Sequence, residues 1–415
     1  MVELREGRPD ASSTPDGSGA LLTRDYQTTA TIKPPLLFYL VDWLPPNFGA
    51  VGQYGMIFAQ EIAQSGRDVR LIGLTTEISS TVREECASNC FFEVRRLNAK
   101  QYDKIGTIAR LAWSIKTNCK LCLEVIRDPR SRNAEVLFTG SPPFMLFFVF
   151  FIKWLRHVRL IYRITDFYPE VLIAAFGKHS TALMVLQRVT WFLRRRIDAF
   201  EVLGEDQRQL LLAGGIRPDL ITLKRDIAPV SFGTIAHPSR PPADLEGRML
   251  LLYSGNYGIV HEVDTVVEGL IQHHRNGCGR FGLWLNGSGS NIRAVVSKLE
   301  NAGVPFARTH PVPLEQLSSV LAAADVHLIT LRPRFAGVVL PSKVYGCIES
   351  GRPILFVGPK NSDVHLLCSQ AKGFYERIEP GDAEGFAKAL DRLAGASKRR
   401  EIPAAGKLSV RVRSS

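Results

Sequence analysis

The chain has 415 residues, 45% hydrophobic and 22% charged, with 34 Gly and 24 Pro. It is too apolar for disorder, lacks the glycine period of collagen, and is longer than one core usually serves, so two or three globular domains are expected. A net charge of +12 points to an anionic partner and leaves nucleotide, nucleic acid and acidic lipid surface open.

Residues 1–33 are rich in Ser, Thr, Gly, Asp and Pro and read as a disordered extension. No apolar core follows a basic start in residues 1–30, so no signal peptide is expected, and seven Cys are too few for a disulfide framework. Both observations favour a reducing, cytoplasmic setting. Order is expected from the apolar strand Leu36–Val41, followed by a loop holding Pro45, Pro46, Gly49, Gly52 and Gly55. A helix through Tyr54, Ile57, Phe58 and Ile62 and a strand at Val69–Leu74 complete a parallel strand–helix–strand unit. Further strands are expected at Glu135–Thr139, Leu160–Thr165, Phe200–Leu203 and Leu220–Leu223, with helices over 143–155 and near 205–213.

Residues 226–247 hold Pro229, Pro238, Pro241 and Pro242 and read as a linker. The alternation then restarts. Strands are expected at Met249–Ser254, Phe281–Leu285, Val326–Leu331 and Pro353–Val357, with helical stripes through Val263–Ile271 and Ile292–Leu299 and helices over 314–323 and 342–350. Two such runs imply two doubly wound domains, 34–225 and 248–395, followed by a basic tail at 396–415. In that architecture a ligand occupies the crevice at the carboxyl ends of the strands.

The loops Gly255-Asn256 and Gly287-Ser288-Gly289 end two strands of the second domain and suit a phosphate, although strand-to-helix turns need Gly and Asn whatever they bind. Pro341-Ser342-Lys343 is sharper. Pro and Ser cap a helix, but a cation in the first turn opposes the helix dipole unless an anion sits between them. No phosphate-binding Gly-x4-Gly-Lys motif, hydrolase elbow or zincin motif occurs, and the Gly287 loop lacks the third Gly of a dinucleotide fingerprint. The lone Cys119–Cys122 pair makes a poor zinc site, and His273-His274 reads as a solvated helix end. Lys153, Arg156, His157, Arg159, Arg163 and Arg194-Arg195-Arg196 form a candidate anionic-lipid patch with Phe144–Ile152 dipping into the interface; a buried helix with a solvated end competes with that reading. Aromatics interleaved for base stacking are not evident, so no nucleic-acid partner is expected.

Tyr253–His261, Pro341–Gly346 and Gly351–Ile354, with Leu44–Gln53 and Thr165–Glu170, resemble bacterial retaining glycosyltransferases of family four, and within them the polysaccharide-assembly subgroup with a Pro-Ser-Lys motif. The resemblance spans about 36–394. It implies the α/β GT-B fold, two Rossmann-like domains facing across a cleft, and metal-independent transfer from a nucleotide-sugar to a saccharide or lipid-linked acceptor with retention. UDP is named as the nucleotide by resemblance alone, and no other cofactor is implied.

Carried over by position, Ser342 and Lys343 contact the diphosphate, Gly255 and Asn256 line its pocket, and Gly287 and Ser288 border the base or ribose. His261 and Arg332 stand beside the phosphates. Asn47, Gly49, Gly52, Asp166 and Glu170 face the acceptor, with Lys343 and Asp166 as the catalytic pair. The sequence departs from the family at Val338 and Gly346, where many members carry two Glu, and Glu349 is offered as the substitute. Asn256 and His261 replace a common Arg and Lys, and the usual closing helices beyond 395 are missing. The expected setting is cytoplasmic polysaccharide assembly, with peripheral attachment to the inner face of the membrane left open. An idle GT-B binding scaffold and a nucleotide-sugar epimerase are the alternatives.

Overall fold

The computed structural model describes residues 34–47, 50–86, 89–100, 107–177, 180–232 and 237–397. The extension at 1–33 and residues 398–415 of the basic tail lie outside the described residues.

β1 (Leu37–Trp43) is apolar on both faces through Val41, as a central parallel strand must be. Its side chains alternate. Phe38 and Leu40 join one core, while Leu37, Tyr39 and Val41 join another beneath α1 (Ala50–Gln64). β2 (Val69–Thr75), β3 (Ser80–Cys86), β4 (Cys90–Asn98), β5 (Glu135–Thr139), β6 (Arg159–Ile164), β7 (Ala199–Val202) and β8 (Ile221–Leu223) complete an eight-stranded sheet in the order β3-β4-β2-β1-β5-β6-β7-β8. Every pairing is parallel except β3 on β4. α2 (Thr107–Arg127) and α3 (Met145–Arg156) cover the Phe38 side, and α4 (Glu170–Phe176), α5 (Thr181–Arg194) and α6 (Glu205–Ala213) follow in the chain.

The second sheet has the order β11-β10-β9-β12-β13-β14 and is wholly parallel. It contains β9 (Met249–Asn256), β10 (Phe281–Ser288), β11 (Phe306–Thr309), β12 (Val326–Thr330), β13 (Ile354–Val357) and β14 (Tyr375–Ile378). α7 (Asp264–Asn276), α8 (Ile292–Asn301) and α12 (Ala383–Ser397) pack on Leu251 and Tyr253 of one face. α9 (Leu314–Ala322) packs on Leu250 and Leu252 of the other, and α10 (Lys343–Glu349) and α11 (Asp363–Gln370) bury Val344, Cys347 and Val364 with Ile329. In each sheet the strand order reverses about its first strand, between β1 and β5 and between β9 and β12. Those two switch points are where such sheets accept ligands.

The β3–β4 hairpin escapes the sequence reading for a physical reason. β3 is exposed along nearly its whole length and charged, as a protected edge strand is. β4 and β2 carry buried charges that break the apolar run: Arg70 is fully buried, its Nε 2.6 Å from Glu93 Oε1, with Asp128 as a second partner.

Of the expected lipid-facing cations, His157, Arg195 and Arg196 stay exposed, and the others are engaged by partners. Lys153 pairs with Asp198 at 2.7 Å and Arg159 with Glu135 at 2.7 Å, while Arg156 donates to the Ile126 carbonyl. Arg163 is buried against Glu201 and Asp226, and Arg194 against Glu170. Phe144–Ile152 is the start of α3 and commits Met145, Leu146, Val149 and Ile152 to the core. His273 is likewise buried rather than solvated. No helix among the described residues is long and apolar enough to cross a membrane.

Candidate active site

Contacts between the two sheets join α1 and the segment after β6 to the segment after β12. The Phe167 N–H donates to the Val338 carbonyl at 2.9 Å, and Asp166 forms a single antiparallel bridge with Val339. Tyr54 on α1 donates its hydroxyl to the Ser342 carbonyl at 3.2 Å. Farther along, Asp206 Oδ2 accepts from the N–H groups of Gly337 (3.1 Å) and Asp363 (3.0 Å). Asp363 in turn accepts from the Glu205 N–H at 2.9 Å and pairs with Arg225. The loop from Arg332 to Ser342 is thereby laid against the first sheet.

Lys343 opens α10 at this junction. Its Nζ is buried, has no hydrogen-bond partner, and sits 3.3 Å from the centre of the Tyr253 ring. An aromatic face offsets only part of the cost of desolvating an ammonium, so burial pulls its pKa down to about 7. Gly255 lies beside it: its φ of +128° is a backbone conformation that favours glycine, and a Cβ there would stand 3.5 Å from Lys343 Cε and Nζ, an ordinary contact distance. His261 forms the wall behind. Its Nδ1 lies 2.8 Å from the Thr330 carbonyl, which can only accept, so Nδ1 carries the ring proton. Burial, and then the Lys343 charge, hold this histidine neutral.

The remaining donor-side residues divide. Arg332 is half-buried at the start of the loop, with its N–H on the Val260 carbonyl. Asn256 and Ser288 are exposed at the adjacent ends of β9 and β10, paired in register. Gly287 has φ +152°, and a Cβ there would fall 2.0 Å from the Gly255 carbonyl oxygen, so close strand packing accounts for this glycine without a ligand. Glu349 is not brought to the group. It is exposed at the far end of α10, about 9 Å along the axis from Lys343, while Gly346 faces inward against Leu321.

On the facing sheet Asp166 holds a carboxyl pushed up to about 6 by burial. Asp42, which the sequence reading passes over, closes β1. Its Oδ2 accepts from Ser141 at 2.7 Å, its Oδ1 is buried without a partner, and burial raises its pKa. A charge at the end of an otherwise apolar central strand is the signal that finds it.

Three acceptor-side expectations take other roles. Asn47 spends its side chain on the loop after β2, donating to Thr76 Oγ1 (2.8 Å) and accepting from Thr75 Oγ1 (3.2 Å) and the Thr76 N–H (3.2 Å). Gly52 lets α1 approach β1: a Cβ would fall 1.7 Å from the Trp43 carbonyl oxygen. Glu170 gives both oxygens to buried Arg194, at 2.7 and 3.0 Å. Gly49 lies outside the described residues.

No family model matches the chain. It is 24% identical over 326 residues to the probable glycosyltransferase WbjE of Pseudomonas aeruginosa, covering 76% of this chain and 77% of that one. The crystal structure of Anabaena HepE in complex with UDP and glucose matches with a TM-score of 0.57 at 11% identity, over 88% of this chain and 91% of that one. WaaG, a glycosyltransferase involved in lipopolysaccharide biosynthesis, matches with a TM-score of 0.55 at 16% identity, again over 88% and 91%. The fold is GT-B. In GT-B terms the Lys343 group belongs to the second sheet domain, and the Asp42 and Asp166 carboxyls belong to the first.

Among the described residues His273, Cys278 and Asp391 bring three potential metal-ligating atoms within 4.8 Å. His273 Nε2 accepts from the Phe281 N–H at 3.3 Å, which leaves Nδ1 to carry the proton toward Asp391 at 2.9 Å. A neutral imidazole held in this way offers a metal no lone pair.

Proposed function

We propose that this GT-B protein is a retaining, metal-independent glycosyltransferase of cell-surface polysaccharide assembly, taking a UDP-linked sugar to a saccharide or lipid-linked acceptor. The observation that carries the reading is the buried, unpartnered Lys343 ammonium at the switch point of the second sheet. A nucleoside diphosphate leaves as an anion, and a cation already desolvated and aimed at that position stabilises the developing charge without reorganising. Gly255 lies beside the ammonium, and Arg332 and Lys343 both bear on buried His261. Across the crevice, Asp166 and Asp42 are carboxyls with raised pKa values on the acceptor side, suited to meet the incoming hydroxyl. WbjE and WaaG, both described as glycosyltransferases, and HepE, solved with UDP and glucose, support the same reading.

Thermal unfolding of the full chain against UDP, GDP, CMP and their sugar conjugates tests it. A ligand at about 100 times its dissociation constant adds about 2.7 kcal/mol. UDP and UDP-sugars are expected to raise Tm, and Lys343→Met to abolish that rise. Unchanged Tm with every nucleotide overturns the reading in favour of an idle scaffold, and sugar isomerisation from donor alone would make the chain an epimerase.

A further inference from the structure

The β3–β4 hairpin forms the outer edge of the first sheet, and its last register pair sets Cys86 opposite Cys90. Both are free thiols. Directly opposed residues of an antiparallel pair have Cα atoms about 4.5–5.5 Å apart, inside the range of about 4.4–6.8 Å that a disulfide spans. The two side chains share one face of the sheet. Phe92 and Val94 lie in the core beneath α1, and Cys86 packs against that same core. Cys90 precedes Phe92 by two residues and so stands on its side of the strand. Asn89 has φ +58°, a left-handed turn conformation that Asn tolerates, and it reverses the chain between the two thiols.

Access differs between the two. Cys86 is half-buried at the end of a strand that is otherwise exposed along its length, whereas Cys90 is 2% exposed. A reachable thiol beside a sheltered one is the arrangement of an attacking and a resolving cysteine. The pair also lies apart from the crevice. Cys90 begins β4, which runs parallel to β2, so both thiols stand at the amino ends of the parallel strands.

We propose that Cys86 and Cys90 are a reversible oxidation site, joined by a disulfide that fastens the end of the edge strand β3 to β4. The Cys86 thiolate attacks one sulfur of oxidised glutathione, and the first glutathione leaves as its thiolate. The Cys90 thiolate then attacks Cys86 Sγ and expels the second glutathione. Two cysteine thiols are oxidised, one glutathione disulfide is reduced, and the two cysteine protons end on the two glutathione thiols. An excess of reduced glutathione runs the same steps backward. β3 has a sheet partner on one side only, and the bond holds its last residue against local opening.

Equilibration of the full chain in glutathione buffers of graded composition, followed by acid quenching and alkylation, reads the site directly. Trypsin cuts after Arg83 and Arg95 and releases both thiols in one peptide. That peptide is two hydrogens lighter when bridged and carries two alkyl groups when reduced. The effective concentration of one thiol at the other is expected to be at least about tenfold higher in the native chain than in the chain unfolded in urea, because the sheet holds the pair opposed. By linkage the bridge favours folding by the same factor, so oxidation raises Tm, and both Cys86→Ser and Cys90→Ala remove that rise. Equal effective concentrations in the native and unfolded chains overturn the proposal. So does a native peptide that stays fully alkylated while Cys119, Cys122 or Cys278 is oxidised, or a Tm rise on oxidation that survives Cys86→Ser.

Discussion

Lys343 lowers stability at the position proposed to meet the donor's diphosphate. Burial brings its pKa from the ordinary 10.5 down to about 7, so between those values the unfolded chain holds a proton that the folded chain has released. Stability therefore rises with pH across that window, by at most about 1.4 kcal/mol per unit, and below about pH 7 the cost of the buried charge is fully present. Lys343→Met, similar in length and apolar, is expected to flatten this slope in urea titrations. On the proposed donor reading, a bound diphosphate returns the proton. Calorimetry of UDP binding at pH 8 in two buffers of different ionisation enthalpy is expected to show uptake approaching one proton in the wild type and none from this side chain in Lys343→Met. Equal uptake in both proteins would remove Lys343 from the phosphate site. Asn47 and Glu170 teach the opposite lesson, because their polar atoms are consumed by Thr75, Thr76 and Arg194 and hold loops in place.

At the scale of elements, Gly52 shows a glycine that the packing itself demands. Gly52 has the Trp43 carbonyl oxygen 1.7 Å from where a Cβ would stand, and both groups are backbone that cannot swing away. Gly52→Ala is expected to destabilise the chain by about 3 kcal/mol or more, or to prevent folding, read as a loss of Tm and of soluble yield. A stable Gly52→Ala protein would mean that α1 and β1 do not approach as described. β3 and β4 belong to this scale too. Their pairing is antiparallel from Ser80↔Arg96 to Cys86↔Cys90, and Glu93 of β4 is buried against Arg70 of β2, which also meets Asp128.

For the whole molecule, the two sheets are tied by a small polar cluster. Arg225, at the end of the first sheet, pairs with Asp363 of α11, and Asp206 of α6 accepts from the Gly337 and Asp363 N–H groups. Val171 and Leu203 of the first sheet's helices and loops share a core with Ile329 and Val344 of the second. A double-mutant cycle of Arg225→Ala and Asp363→Ala is expected to give a coupling of about 1–3 kcal/mol in global unfolding. Additive losses would show that the pair does not link the sheets. Asp226, next to Arg225 in the chain, is buried on Arg163.

Residue order alone settles the alternation of buried strands and amphipathic helices, because a parallel strand covered on both faces must be written as an apolar run. Leu37–Trp43, Met249–Asn256, Phe281–Ser288 and Val326–Thr330 are legible for that reason. It also marks Lys343, a cation where a helix start disfavours one. Only the assembled chain decides which charges remain available. Arg163, Arg194 and Glu170 look like surface groups until partners distant in sequence bury them, whereas Asp42 looks like a strand residue until its second oxygen is left without a partner at the switch point. Apolar periodicity is a local property of the chain. The pairing or isolation of a charge depends on contacts between distant segments, and those exist only in the tertiary structure.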